Sequence, residues 1–528
     1  MSSLDLSVVC VYLMAVLGLG YLCGRGNEDQ EDFLLAGRSM PWLPVSLSVA
    51  ATMISANSFI GAPGWAYGSG LAPFMVNATV PLAVFFALSV TTPVFYALKV
   101  TSIYEYMGSR LGPLSRGLAV AQFFVNSLIQ VSSMVFIPAL ILQRLTGMDL
   151  VVLVPVIVAV SIVYTVMGGI KAVIWTDFAQ MLVLWGGLFA VIYVGLKGMD
   201  MGFFETLQVA REGGKMKVLN FSFDLGDTNT FWASLIGGTF MWVRYFCFDQ
   251  VQIQRVLTSK SMRGLKLSFM TSAFFMSVIY FISLLVGLLL WRFFDGRPFS
   301  NANDVMITFI LENLPVGVVG LVISGTLAAA MSSVDSLLNS MTTVFIKDVY
   351  EKNLKKDSGP ASLRVTMAVA AFFGVAVVFF VLVGFGGTVR SVLDVVGKYI
   401  SYFSGPACGA FLLAMFTVRA NDRGVASGFV LGTLGCLWIS RAMGLSWLWN
   451  PAVGGVLTLL LGYGISLIFG NSEAYGKEYT ASGVRRSLER EGRSYEDGVS
   501  VLPFKVDFYG YATVGFFFLQ YLVLFLIQ

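Results

Sequence analysis

The sequence predicts an all-α polytopic membrane protein of about fourteen transmembrane helices, built as two inverted helical repeats. Three observations lead there. Of 528 residues, 57% are hydrophobic and 12% charged, against roughly 45–50% and about 25% in soluble globular domains. Apolar runs of about 20 residues, enough to cross a bilayer, recur along the whole chain. Two of these runs, about five spans apart, are interrupted by polar and helix-breaking residues, the pattern of an inverted-repeat transporter with its site between broken helices.

Composition narrows the chemistry. The chain has no histidine, which removes imidazole catalysis, imidazole proton relays and imidazole metal sites. Its five cysteines, Cys10, Cys23, Cys247, Cys408 and Cys436, lie scattered through apolar runs with no CxxC spacing, so no disulfide framework is implied. A transporter, not an enzyme, is expected. The net charge of +4 says little about partners, and no nucleic acid or obligate protein partner is expected beside membrane lipid.

The first span is expected at residues 6–24. No basic segment precedes it, so it reads as a retained helix and not a cleaved signal. The next stretch, residues 45–70, begins apolar and meets Asn57, Ser58, Gly61, Pro63 and Gly64. Pro63 removes a donor and blocks helix continuation. An unwound turn at membrane depth survives only where it lines a cavity or holds an ion, so a helix break is expected through Gly61–Gly64. The plain alternative is a Gly/Pro kink without function.

Further spans are expected at residues 73–98, 118–145, 151–167, 174–196, 231–257, 265–291, 316–349, 363–383, 389–416, 425–443, 448–469 and 508–527. The span at 231–257 carries the second interruption, Gly237 to Gln254, with Gly238, Arg244 and Asp249 inside it. The chain is then one transport domain over 1–528. A peripheral helix at 6–24 precedes five-helix repeats at 43–196 and 231–416, and peripheral helices occupy 425–528. Roughly 23 of the 34 Lys and Arg residues fall in alternate loops, Arg25, Arg110, Arg116, Arg255, Lys266 and Arg485 among them. That bias places both termini outside.

Ionisable residues inside spans are costly and therefore functional candidates. They are Asp177, Arg244, Asp249, Asp335, Asp394 and Lys398. On a helix Ser332, Asp335, Ser336 and Asn339 share one face. Hydroxyls with a carboxylate form a hard oxygen set, suited to an alkali or alkaline-earth cation. Asp177 reads as part of such a site or as an interfacial acid. Arg244 offers a fork for a solute carboxylate, or pairs with Asp249. Asp394 and Lys398, four apart, pair with each other. Trp242, Tyr245 and Phe246 offer flat faces beside the second break.

Several strings are more specific: DFLLAGRSMPW (32–42), ISANSFIG (54–61), TSIYEYMGSRLG (101–112), YTVMGGIKAVIWTDFAQ (164–180), DQVQIQRVLTSKS (249–261) and MSSVDSLLNSMTTVFIKDVY (331–350). They resemble the sodium/solute symporter family, which includes sodium/glucose, sialic acid, proline, iodide and monocarboxylate/vitamin carriers. The resemblance covers residues 6–469 and implies a LeuT-type fold of 5+5 inverted repeats, with Na⁺ as the coupling ion and a small organic solute as cargo. By position it implies a first Na⁺ site from the backbone oxygens of Ala51, Ile54 and Ala329 and the hydroxyls of Ser332 and Ser333. It implies a second at Asp177, Asp335 and Ser336, with Ser332.

The chain departs from its relatives at telling places. The sialic acid carriers have serine where Asp335 stands, which either strengthens the second site or makes it proton-linked. Sugar carriers have Gln and Glu where Ser58 and Asn77 stand, so ordinary hexose recognition is not expected. An arginine of the sialic acid carriers matches Gln130, and Arg244 is the candidate to replace its charge. Tyr245 matches the inner gate tyrosine of the sugar carriers. The solute-site candidates are thus Asn57, Ser58, Asn77, Gln130, Trp242 and Arg244. The expectation is Na⁺-coupled import of a carboxylate-bearing solute, a sialic acid, sugar acid or monocarboxylate, across a bacterial inner membrane. A neutral sugar is the alternative cargo, and a transporter-like sensor the alternative of another class.

Overall fold

The computed structural model of the chain describes residues 2–53, 56–354, 360–384, 389–470 and 475–528. Among the described residues, ten helices are long and apolar enough to cross a membrane, and eleven if one bent pair counts as a single span. The three further spans expected from sequence differ for identifiable reasons. Residues 151–167 and 174–196 count once because they fall in one helical run, Leu150–Met199, yet its backbone leaves helical geometry at Gly169 (φ 58°, ψ −153°), which separates the two expected spans. Residues 231–257 are broken into short pieces. In 389–416 only Ile400–Phe416 has the apolar helix fully described; the side chains of Asp394 and Lys398 lie outside the described residues.

The helices that build the site are named here in order. They are α1 (Ser3–Gly24), α2 (Trp42–Met53), α3 (Ala56–Ser69), α4 (Val80–Phe86), α5 (Thr92–Leu98), α6 (Ile103–Arg110), α7 (Pro113–Thr146) and α8 (Leu150–Met199). After these come α9 (Thr239–Cys247), α10 (Gln250–Val256), α11 (Met262–Phe293) and α12 (Val318–Val344), followed by α13 (Val389–Phe416), α14 (Asp422–Met443) and α15 (Asn450–Ile468). Helix α12 is buried from Val322 through Val344 without interruption. A helix apolar or small all round belongs at the centre of a bundle. It packs mainly on α8, and also on α1, α2 and α7.

The first broken helix is α2 with α3, bent by 57°. The break falls earlier than the sequence suggested. Helix α3 runs unbroken through Gly61, Pro63 and Gly64, which corrects the expected unwinding there. Close packing is the reason for the small residues: a Cβ on Gly64 would collide with the carbonyl of Ala302, and one on Gly287 with the carbonyl of Pro63. The carboxyl end of α3 is held by Lys215, whose Nζ donates to Tyr67 O at 3.1 Å and Gly68 O at 2.7 Å. Partial burial there draws the Lys215 ammonium below its ordinary pKa.

The second broken helix is a π-turn (Ala233–Gly238), α9 and α10. Its break is at Phe248–Asp249, about ten residues beyond the glycines that signalled it. Asp249 caps α10, accepting from Val251 N at 2.9 Å, which satisfies a donor left free at a helix start.

Four basic residues assigned to loops are instead buried: Arg110, Arg116, Arg255 and Lys266. Each has a partner that repays its burial. Arg110 donates to the carbonyls of Thr417, Val418, Ala420 and Tyr475, closing the carboxyl end of α13. Arg116 pairs with Asp348 at 2.6 Å and Lys266 with Asp507 at 2.5 Å. A small hairpin, β1 (Tyr495–Glu496) with β2 (Val499–Ser500), ties α5 to the start of α11: Glu496 Oε1 accepts from Tyr96 OH at 2.6 Å and Met262 N at 3.4 Å.

Candidate functional site

The oxygens expected to hold a first sodium ion converge where α2 meets α12. Ser332 Oγ lies 3.5 Å from Ala51 O and 3.3 Å from Ala329 O. Ser333 Oγ lies 3.2 Å from Ala329 O. All four residues are buried. A hard cation bound at roughly 2.4 Å, as for Ca²⁺–oxygen contacts, holds neighbouring ligands roughly 3.4 Å apart. The set therefore fits a monovalent hard ion with little rearrangement. Ile54, the remaining expected ligand, lies outside the described residues. Among the described residues no group of three or more Asp, Glu, Cys or His side chains gathers.

The expected second sodium site is built differently. The Arg255 guanidinium, which sequence reasoning left in a loop, sits inside it. Arg255 donates to Ser48 Oγ at 2.9 Å and to Ser336 Oγ, and lies 3.5 Å from Asp177 Oδ2. Ser48 Oγ donates to the same carboxylate oxygen at 2.5 Å. Asp335 joins the same network through Ser336: its Oδ1 accepts from Ser336 Oγ at 3.2 Å and its Oδ2 from Tyr164 OH at 2.6 Å. Two buried carboxylates need positive charge or protonation, and a fixed guanidinium supplies one charge permanently.

The solute-site candidates separate into two groups. Ser58, Asn77 and Trp242 line one cavity of about 220 Å³. Val76 and Met53 complete the side next to the first break, and Met241, Met276, Tyr280 and Trp447 the remainder. Trp242 is fixed by its indole N–H, which donates to Val76 O at 2.8 Å. Two other candidates, Arg244 and Gln130, are engaged elsewhere. Arg244 pairs with Asp249 at 2.9 Å and lies over the Tyr245 ring at 5.5 Å. Gln130 Nε2 donates to Tyr245 OH at 2.9 Å. Of the two readings of Arg244, the geometry takes the ion pair. The side chain of Asn57 lies outside the described residues. Sequence reasoning missed Met53, Met241, Met276, Tyr280 and Trp447, because apolar residues in apolar spans carry no distinguishing mark.

A model of the sodium:solute symporter family matches residues 33–432, some three quarters of the chain. The chain belongs to that family. The symporter is 30% identical to the mouse sodium-coupled monocarboxylate transporter 1 over 439 residues, covering 81% of this chain and 71% of that one. It is 28% identical to the human sodium/iodide cotransporter, covering 82% and 69%. It is 27% identical to the sodium/sialic acid symporter of Proteus mirabilis, covering 87% and 94%. A solved Na⁺-coupled sialic acid symporter, substrate-bound and outward-open, superposes with a TM-score of 0.81 at 26% identity, over 89% of this chain and 99% of that one. Mhp1, a nucleobase-cation-symport-1 transporter, shares the fold at TM-score 0.56 and 15% identity. The symporter is thus a LeuT-like, multi-pass membrane protein that moves a solute together with Na⁺.

Proposed function

We propose that the symporter imports a small carboxylate-bearing solute across a bacterial inner membrane, drawing on the Na⁺ gradient and catalysing no covalent step. Both termini face outward in this reading, and the inverted repeats span 43–196 and 231–416. The observation that carries it is the oxygen cluster of Ala51, Ala329, Ser332 and Ser333 set beside the cavity. Met53 is two residues beyond Ala51, and Ser58 opens the far side of the same helix break. Ion and solute would therefore bind on either side of one interruption, and each would close part of the other's boundary. The carboxylate class is supported by the monocarboxylate and sialic acid relatives, both named for carboxylate-bearing solutes.

One Na⁺ is assigned to Ala51, Ile54, Ala329, Ser332 and Ser333. Asp177 is given a structural part beside Arg255; one guanidinium balances one of the two carboxylates, so Asp335 with Ser336 is kept as the place for a second Na⁺ or a proton. Asn57 is kept as a solute ligand beside Ser58, and Tyr245 as an inner gate steadied by Gln130. A neutral solute is the second reading, favoured by the engagement of Arg244 with Asp249. Uptake into proteoliposomes, run with an inward Na⁺ gradient and again with K⁺ replacing Na⁺, tests both. Na⁺-dependent entry of labelled acids but not of glucose is expected. Entry that ignores Na⁺ would overturn the coupling, and entry of glucose alone would overturn the carboxylate.

A further inference from the structure

The cavity is furnished for an apolar body. Met53, Met241 and Met276 give it polarisable thioethers, and Trp242, Tyr280 and Trp447 give it aromatic surface. Among the described residues, two polar side chains stand against these, Ser58 and Asn77. Asn77 is buried, and among the described residues nothing accepts from or donates to its amide, so its hydrogen-bonding edge is free for a ligand. The indole N–H of Trp242 is committed to Val76 O. That leaves the Tyr280 hydroxyl and the Trp447 indole N–H as the other polar atoms, each at the edge of an apolar ring.

Among the described residues, no charged side chain lines the space. At about 220 Å³ it holds roughly seven waters' worth of liquid volume at about 30 Å³ each. Pockets for drug-sized ligands run about 300–1,000 Å³. A polyhydroxylated acid would bring more hydroxyls than the described side chains of the wall can pair. Each one buried without a partner costs about 1–3 kcal/mol.

Trp447 stands apart from the rest of the lining. It comes from the 3₁₀ turn Trp447–Trp449 between α14 and α15, outside both five-helix repeats. That turn is seated firmly. Ser446 N donates to Leu225 O at 2.8 Å. The carbonyl of Leu448 presses on Gly237 of the π-turn so closely that no Cβ would fit. Trp447, like Met241, packs against the small buried cluster of Val76, Ala233, Leu448 and Trp449. A peripheral element thus closes the solute cavity at a fixed position.

Building on the carboxylate reading above, we propose that the solute is a compact acid with an apolar, unhydroxylated body, and that Trp447 is the specificity-determining residue that rejects polyhydroxylated acids. Its ring packs on the solute body, while Ser58 and Asn77 take the polar end nearest the first helix break.

The test is Na⁺-driven uptake by the full chain in proteoliposomes, with labelled butyrate, benzoate, gluconate, N-acetylneuraminate and glucose measured separately. Butyrate or benzoate should enter at least tenfold better than gluconate or N-acetylneuraminate. Trp447→Ala should shrink that ratio about tenfold, mainly by raising KM for the apolar acids, and Trp447→Phe should restore most of it. Thermal unfolding of both variants in Na⁺ establishes that they are folded. Gluconate or N-acetylneuraminate entering as well as butyrate overturns this inference and leaves Na⁺-coupled acid transport standing. An unchanged ratio in folded Trp447→Ala also overturns it. Glucose entering alone overturns the carboxylate reading itself.

Discussion

The guanidinium of Arg255 lies 3.5 Å from a carboxylate oxygen of Asp177, and neither side chain is exposed. The same guanidinium reaches Ser336 of α12 and Ser48 of α2. One cation therefore joins α2, α8, α10 and α12 at the centre of the bundle.

Removing one member of a buried pair strands the other, at about 3–5 kcal/mol. Arg255→Gln and Asp177→Asn are each expected to destabilise the symporter by that order. The double variant should lose clearly less than the two losses added together. Thermal or denaturant unfolding in detergent measures this, and strictly additive losses would show that the residues do not act as a pair.

Ser332→Ala and Ser333→Ala each delete one oxygen from the Na⁺ cluster. The Na⁺ concentration for half-maximal uptake is expected to rise about tenfold or more, equivalent to about 1.4 kcal/mol. Ser324→Ala serves as the control. Its hydroxyl bonds only Gly320 O on its own helix, and its Na⁺ dependence should match the wild type.

Arg244 is engaged with Asp249 and does not line the cavity. Arg244→Gln is therefore expected to lower stability and maximal rate, since it leaves Asp249 uncompensated, while KM for an acid changes less than threefold. If the variant instead loses acids and keeps neutral analogues, the arginine is a solute ligand.

With one Na⁺ bound and a monovalent acid as cargo, no net charge crosses. Accumulation should then follow the Na⁺ gradient alone, about tenfold for a tenfold gradient. A potassium diffusion potential set with valinomycin should leave it unchanged. A second Na⁺ would add about 2.3 kcal/mol per 100 mV, or about fifty-fold, so a strong voltage effect would show that another cation travels too.

Much of this was legible in the sequence because membrane-spanning segments and family motifs leave strong marks. Ser332 reaches Ala51 across the two helices, where the family motif put it, while Ser333 bonds Ala329 within its own helix. Exact break positions were not legible. Gly61, Pro63 and Gly64 look like helix breakers in a string, yet in space they are contact residues that let helices approach. Arg255 was misjudged because a basic residue near a span end is ordinarily topological, and only three-dimensional packing shows Asp177 beside it. The methionines and Trp447 of the cavity were invisible for the opposite reason: an apolar residue lining a cavity reads the same as one facing lipid.

The glycine contacts of α3 also bear on how the molecule moves. Gly64 meets the backbone at Ala302 and Gly287 of α11 meets the backbone at Pro63, each without space for a methyl group. Half of the first broken helix is thereby bolted to α11, and the pair must swing as one rigid arm. Motion that opens one side of the membrane and shuts the other must then carry α3 and α11 together past Ala51, at the end of α2, where sodium would act as the pin.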